Sequence, residues 1–104
     1  MTIEGKKFGL SDAEETYGNL TLGRFLRSWR LCEELNQKEF AKKLGISSAN
    51  LCDIEKGRKG VSIYKAAEIG QILGYPPTVL VQLALQELVN TLGLNCAVEL
   101  KNRA

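Results

Sequence analysis

The chain has no histidine among its 104 residues. That removes the side chain most often used as a proton carrier near neutral pH, and the commonest metal ligand. It also has no Gly-rich phosphate loop and no nucleophile elbow. Nothing therefore supplies a poised base or a cradle for a cofactor, so no cofactor is expected and an enzyme is the least supported reading. The three cysteines, Cys32, Cys52 and Cys96, are odd in number, widely spaced and without a C-x-x-C pair. A zinc site would need carboxylates to complete it. No metal is expected, and the thiols read as buried and reduced. No apolar run approaches the roughly eighteen residues of a membrane span, and no signal peptide opens the chain. These absences lead us to expect a cytoplasmic protein with no membrane partner.

What is present suits a single domain with a modest core. The net charge is only +2, so composition alone does not announce a nucleic-acid binder. Its distribution says more. Residues 21–60 carry nine Lys/Arg against five Asp/Glu, a net of +4, while residues 1–20 sum to −2 and residues 61–104 to zero. Scattered lysines on solvated helix faces do not explain such segregation.

The basic region contains the stretch that organises the chain, Asn36 to Gly57, which reads as two short helices meeting at a tight turn. Asn36 is a suitable N-cap, and Glu39 three residues later completes a capping box. Phe40, Ala41 and Leu44 fall on one helical face. Gly45 suits the left-handed conformation that ends a helix, and Ser47 or Ser48 can cap the next. Leu51 and Ile54 form the apolar stripe of that second helix, and Gly57 ends it. Upstream, Thr21 looks like an N-cap, and Leu22, Phe25, Leu26 and Trp29 recur at amphipathic spacing to about Glu34. Trp29 lies on this apolar stripe, so it reads as a core anchor rather than a ring for stacking on a base.

A turn of about four residues between two short helices is the geometry of a helix-turn-helix. Gln37, Ala41, Gly45, Ile46, Ser47, Leu51, Ile54, Glu55 and Gly57 together resemble the Cro-like phage-repressor helix-turn-helix family. The resemblance covers about residues 21–75. It implies double-stranded DNA as partner, with the second helix of the motif in the major groove and the first crossing the backbone. Position by position, it implies that Ser48, Ala49, Asn50 and Asp53 face the bases, with Ser47 at the head of the same helix. Asn50 is suited to adenine, Ala49 to a thymine methyl and Asp53 to a cytosine amino group. For Asp53 a plain surface charge, or a partner for a nearby lysine, is an equal alternative. Asn36 and Gln37 stand where family members bond phosphate, and Arg58 and Lys59 look like further phosphate contacts. Arg30 and Glu55 resemble a structural ion pair linking the first helix to the end of the third.

After a basic loop at Arg58–Gly60, Ser62 caps a fourth helix whose buried side is drawn from Ile63, Ala66, Ala67, Ile69, Gly70 and Leu73. Gly70 within a helix costs about 1 kcal/mol relative to alanine, so a close crossing is expected there. Gly74 stops this helix. Pro76 and Pro77 start a fifth, to about Leu92, that is apolar nearly all round and needs cover on more than one side. Leu94 to Lys101 then alternates apolar and polar residues, a strand signal, and residues 3–10 hold the other candidate strand. The expected fold is all-α: a five-helix repressor-like helix-turn-helix domain, with a short pairing of terminal β-strands. Residues 1–20 would be an N-terminal arm, 21–75 the DNA-binding domain, and 76–104 a dimerisation segment using Leu80, Leu83, Leu88, Cys96 and Val98.

Two functional classes follow. One is a homodimeric, sequence-specific repressor acting on a near-palindromic operator, of phage type or as an antitoxin that regulates its own operon. The other is a protein-interaction module, such as a toxin-neutralising antitoxin, whose DNA binding is secondary or absent. A toxin protein would then be a second partner, met through the terminal segments.

Overall fold

The computed structural model describes residues 20–101 and residue 103. The expected strand at residues 3–10, and nearly all of the N-terminal arm, lie outside these residues. Five helices follow one another: α1 (Leu22–Cys32), α2 (Gln37–Leu44), α3 (Ser48–Glu55), α4 (Ile63–Leu73) and α5 (Pro77–Thr91). Among the described residues there is no strand, and no helix is long and apolar enough to cross a membrane.

Local chemistry sets the helix boundaries. Thr21, Ser47 and Ser62 each turn a side-chain oxygen to a backbone N–H of the first turn of α1, α3 and α4. Asn36 and Glu39 form a reciprocal capping box at the head of α2. Each pair satisfies a donor that a helix start would otherwise leave orphaned. α1 stops two residues earlier than its periodicity suggests. Glu34 takes a left-handed conformation (φ 58°), and the Leu35 amide folds back onto the Arg30 carbonyl.

Leu22, Leu26, Phe40, Ala41, Leu44, Leu51, Ile54, Ala66, Ile69, Leu80 and Ala84 form one core to which every helix contributes. Two close approaches fix its geometry. A Cβ at Gly70 would come within 2.7 Å of the Pro77 backbone, so α4 and the start of α5 cross at the glycine, as its cost in a helix implied. A Cβ at Gly23 would sit 2.0 Å from the Ile54 carbonyl oxygen, so α1 lies directly on the end of α3. Beside the core, Phe25, Trp29 and Tyr75 form a ring cluster with centroids 5.4–5.9 Å apart. Trp29 is half-buried in it, and its indole N–H donates to Glu33 at 3.0 Å.

Several expectations are corrected. Leu80, expected at a dimer contact, is fully buried within one subunit, where it packs against Gly70. Leu83, by contrast, is only half-buried against the same core. Ile63, expected on the buried side of α4, is exposed, because it opens the helix beyond the reach of the core. The thiols are not buried: Cys32 and Cys96 are exposed and Cys52 is half-buried. Cys32 lies past the last core position of α1, and Cys96 lies in the extended segment that follows α5.

That segment, Leu94 to Lys101, is not a β-strand. It runs back along α5, and glutamine side chains take the place of a neighbouring strand. The Gln86 amide donates to the Cys96 carbonyl (2.9 Å) and its oxygen accepts from the Val98 N–H (2.6 Å). Gln82 accepts from the Leu100 N–H at 3.3 Å. A primary amide offers the same donor–acceptor pair as a peptide group, so the alternating pattern is satisfied without a sheet.

Candidate nucleic-acid interface

α3 divides into two halves. Leu51, Ile54 and Glu55, towards its C-terminus, are buried, whereas Ser47, Ser48 and Ala49 at its head are exposed and Asn50 and Asp53 are half-exposed. The Gly45–Ile46–Ser47 turn carries the chain from α2 to α3. Gly45 is left-handed (φ 76°), and its successor's amide returns to the Ala41 carbonyl.

The loop after α3 folds back towards this face. Lys59 donates its ammonium to the Asn50 side-chain oxygen, and Arg58 pairs with Asp53 at 3.4 Å while its amide donates to the Asp53 carbonyl. All four residues assigned to bases and phosphates on this side therefore form one cluster. The ion-pair alternative for Asp53 is present, with an arginine in place of a lysine. Both Arg58 and Lys59 are exposed, so water screens these pairs and leaves them free to exchange partners.

The structure brings Arg30 and Glu55 together behind this face. Arg30 donates Nε to Glu55 Oε2 (2.7 Å) and Nη2 to Oε1 (3.0 Å), a two-pronged contact. Its Nη1 also donates to the Leu35 carbonyl (2.9 Å), which ties down the α1–α2 turn. The side chains are 11% and 2% exposed. Burial pushes the Glu55 carboxyl up, but hydrogen bonds from Arg30 and Gln37 and the charges of Arg30 and Arg27 outweigh it, and the group lies below the usual carboxylate range. The Glu55 hydrogen bond raises Arg30 in turn, against the opposing effect of its own burial.

Gln37 and Asn36 are placed less simply than the sequence implied. Gln37 Nε2 donates to Glu55 Oε1 at 3.0 Å, and Asn36 is engaged in its capping box, so both have structural work beside any contact with phosphate. Gln37 keeps a second N–H for another acceptor.

A family model described as a helix-turn-helix domain matches residues 21–83, well over half of the chain. The chain belongs to the helix-turn-helix domain family. The matched span contains each of the nine positions that carry the resemblance and runs into the middle of α5. Neither the curated proteins nor the solved structures contain a significant match. Family membership gives this helix-turn-helix protein the character of a DNA-binding regulator.

Sequence reasoning missed three contacts of this domain. Gly23 admits the Ile54 carbonyl; its only signal was a glycine within an otherwise regular amphipathic helix. Glu87 of α5 accepts from the Leu22 N–H and so places a carboxylate at the head of α1. Gln82 and Gln86 stand four residues apart on an apolar helix, a spacing that marks one face with two amides and could have pointed to a bound peptide segment.

Proposed function

We propose that the protein is a homodimeric transcriptional repressor that reads a near-palindromic operator through α3. The observation that carries this reading is the exposed head of α3 with Arg58 and Lys59 folded against Asn50 and Asp53. The polar side chains that can read base edges are exposed beside cations that can hold phosphate. Ser48, Ala49, Asn50 and Asp53 meet the bases in this reading. Ser47, Asn36, Gln37, Arg58 and Lys59 position the domain on the backbone. On binding, phosphates replace Asp53 and Asn50 as partners of the loop cations, which frees both side chains for base edges. Two copies bound on one face of the duplex place their reading helices about 34 Å apart.

Mobility shifts on the gene's own upstream region, at several salt concentrations, test this. Affinity falls steeply with salt, as expected where phosphate contacts dominate. Alanine at Arg58 and Lys59 weakens all sequences alike and flattens the salt slope. Asn50→Ala costs about 1–3 kcal/mol on the operator and relaxes preference at one position. Unchanged operator preference in Asn50→Ala would show that Asn50 does not read a base.

A further inference from the structure

Among the described residues, the extended segment after α5 uses only one of its two edges. The Cys96 carbonyl and the Val98 and Leu100 amides face α5 and are held by Gln82 and Gln86. The backbone groups of Ala97 and Glu99 alternate with these and find no partner among the described residues. All but Val98 of residues 94–101 are exposed. This is an extended chain pinned along one edge and, among the described residues, open along the other. Such an edge is a template for another extended chain.

The charges on the open edge are self-complementary. Antiparallel hydrogen-bonded pairs form between residues whose backbone groups face outward, here the odd-numbered ones. A twofold axis through Leu100 sets Glu99 opposite Lys101 of a second copy and Lys101 opposite its Glu99. Leu100, 37% exposed, then faces its own twin in the closer, non-hydrogen-bonded position. A segment with two like charges in these places would repel its copy. The exposed Leu88, Leu92 and Leu94 lie at the end of α5 where this segment begins, so apolar surface continues from the same edge.

We infer that the occupant of this edge is a second copy of the chain, joined through an antiparallel pairing of residues 99–101 across a twofold axis at Leu100. The inference deepens the dimeric-repressor reading and rests on it. The glutamines of α5 are positioning residues in this joint. They hold each segment extended in the monomer, so that association orders little further backbone.

Sedimentation equilibrium of the full chain tests it. E99K sets lysine against lysine twice across the axis and weakens the dimer constant tenfold or more, while E99K/K101E returns it to within about twofold of the parent. In a background with all three cysteines replaced by serine, Leu100→Cys gives a disulfide-linked dimer on mild oxidation, because facing non-hydrogen-bonded positions approach within disulfide reach. Val98→Cys, off the axis, does not. A dimer constant unmoved by E99K, a dimer cross-linked through Val98→Cys alone, or a chain monomeric at all concentrations would each overturn the inference. Mobility shifts on the same variants keep the two ideas apart. A parent that binds its operator while E99K dimerises normally retains the repressor reading and loses this joint; a parent that does not bind DNA loses the repressor reading.

Discussion

Replacing Arg30 by methionine strands a carboxylate. The Glu55 side chain is 2% exposed, and two of its three hydrogen bonds come from Arg30, at 2.7 and 3.0 Å; the third comes from Gln37. Methionine fills a similar volume but leaves Glu55 with one neutral donor and no counter-charge. Breaking a buried pair from one side costs about 3–5 kcal/mol. Small domains have about 5–15 kcal/mol in all, so the variant should be near the edge of folding. Removing both charges should cost less than removing one. In Arg30→Met/Glu55→Met no ion remains to be desolvated, and the loss is reduced to the Leu35 carbonyl and Gln37, each deprived of a partner. Urea unfolding, followed by fluorescence of the single tryptophan, measures the four corners of this cycle. A coupling of at least about 1 kcal/mol is expected, with the double variant more stable than Arg30→Met. Additive losses, or an Arg30→Met variant less than about 1 kcal/mol below the parent, would refute the argument that the pair is desolvated.

Other expectations follow from the same contacts. The Glu55 carboxyl lies below its ordinary range when folded, so its contribution is complete above about pH 4.3 and is lost as pH falls through the lower folded value. Acid titration of stability should therefore be flatter in Arg30→Met/Glu55→Met than in the parent, while Arg30, raised from an already high value, keeps its charge and its contribution through the ordinary alkaline range. Gly23→Ala puts a methyl 2.0 Å from the Ile54 carbonyl oxygen, which belongs to backbone and cannot swing aside, so unfolding should show a loss of at least about 1–3 kcal/mol. Gly60→Ala, with nothing near its Cβ, is the control and should leave the midpoint nearly unchanged. Gln86→Ala should speed hydrogen exchange at the Val98 amide without lowering global stability much, because it releases only the segment after α5.

The helices were legible because their signals are local. Thr21, Asn36, Ser47 and Ser62 are caps that a reader of sequence can place, and the apolar spacing of Leu22, Leu26, Phe40, Leu44, Leu51 and Ile54 points to the core. The segment after α5 was misread for a physical reason. Alternation of apolar and polar residues reports an extended chain with two unlike faces, and it is silent on what satisfies the backbone. A strand and a peptide held by glutamines have the same period. Leu80 was misassigned for a related reason. An apolar helix announces that it needs cover, but which leucines meet their own core depends on where Gly70 lets α4 approach. Burial of the thiols failed as a composition argument, since cysteine at the end of a helix can lie outside the core. In the candidate interface, the exposed head of α3 was readable, whereas the engagement of Gln37 with Glu55 was not, because that contact closes over eighteen residues of sequence.

The division of α3 has a consequence for how this protein can change. Its buried end is held by three contacts from two helices: Arg30 of α1, the close passage of Gly23 of α1 over the Ile54 carbonyl, and Gln37 of α2. Among the described residues, the side-chain hydrogen bonds of the exposed end are those of its cap and of a solvated loop. Substitutions at Ser48, Ala49 or Asn50 therefore meet little of the core, and surface changes of this kind usually alter stability by less than about 0.5 kcal/mol. The same substitutions act where base edges are read in the proposed complex. Changes at Glu55 or Gly23 have the opposite profile: they disturb folding and reach the bases only by tilting the whole helix. In the proposed complex, stability and sequence preference are thus carried by opposite ends of one eight-residue helix, so recognition can be altered at one end while the other keeps the helix in place.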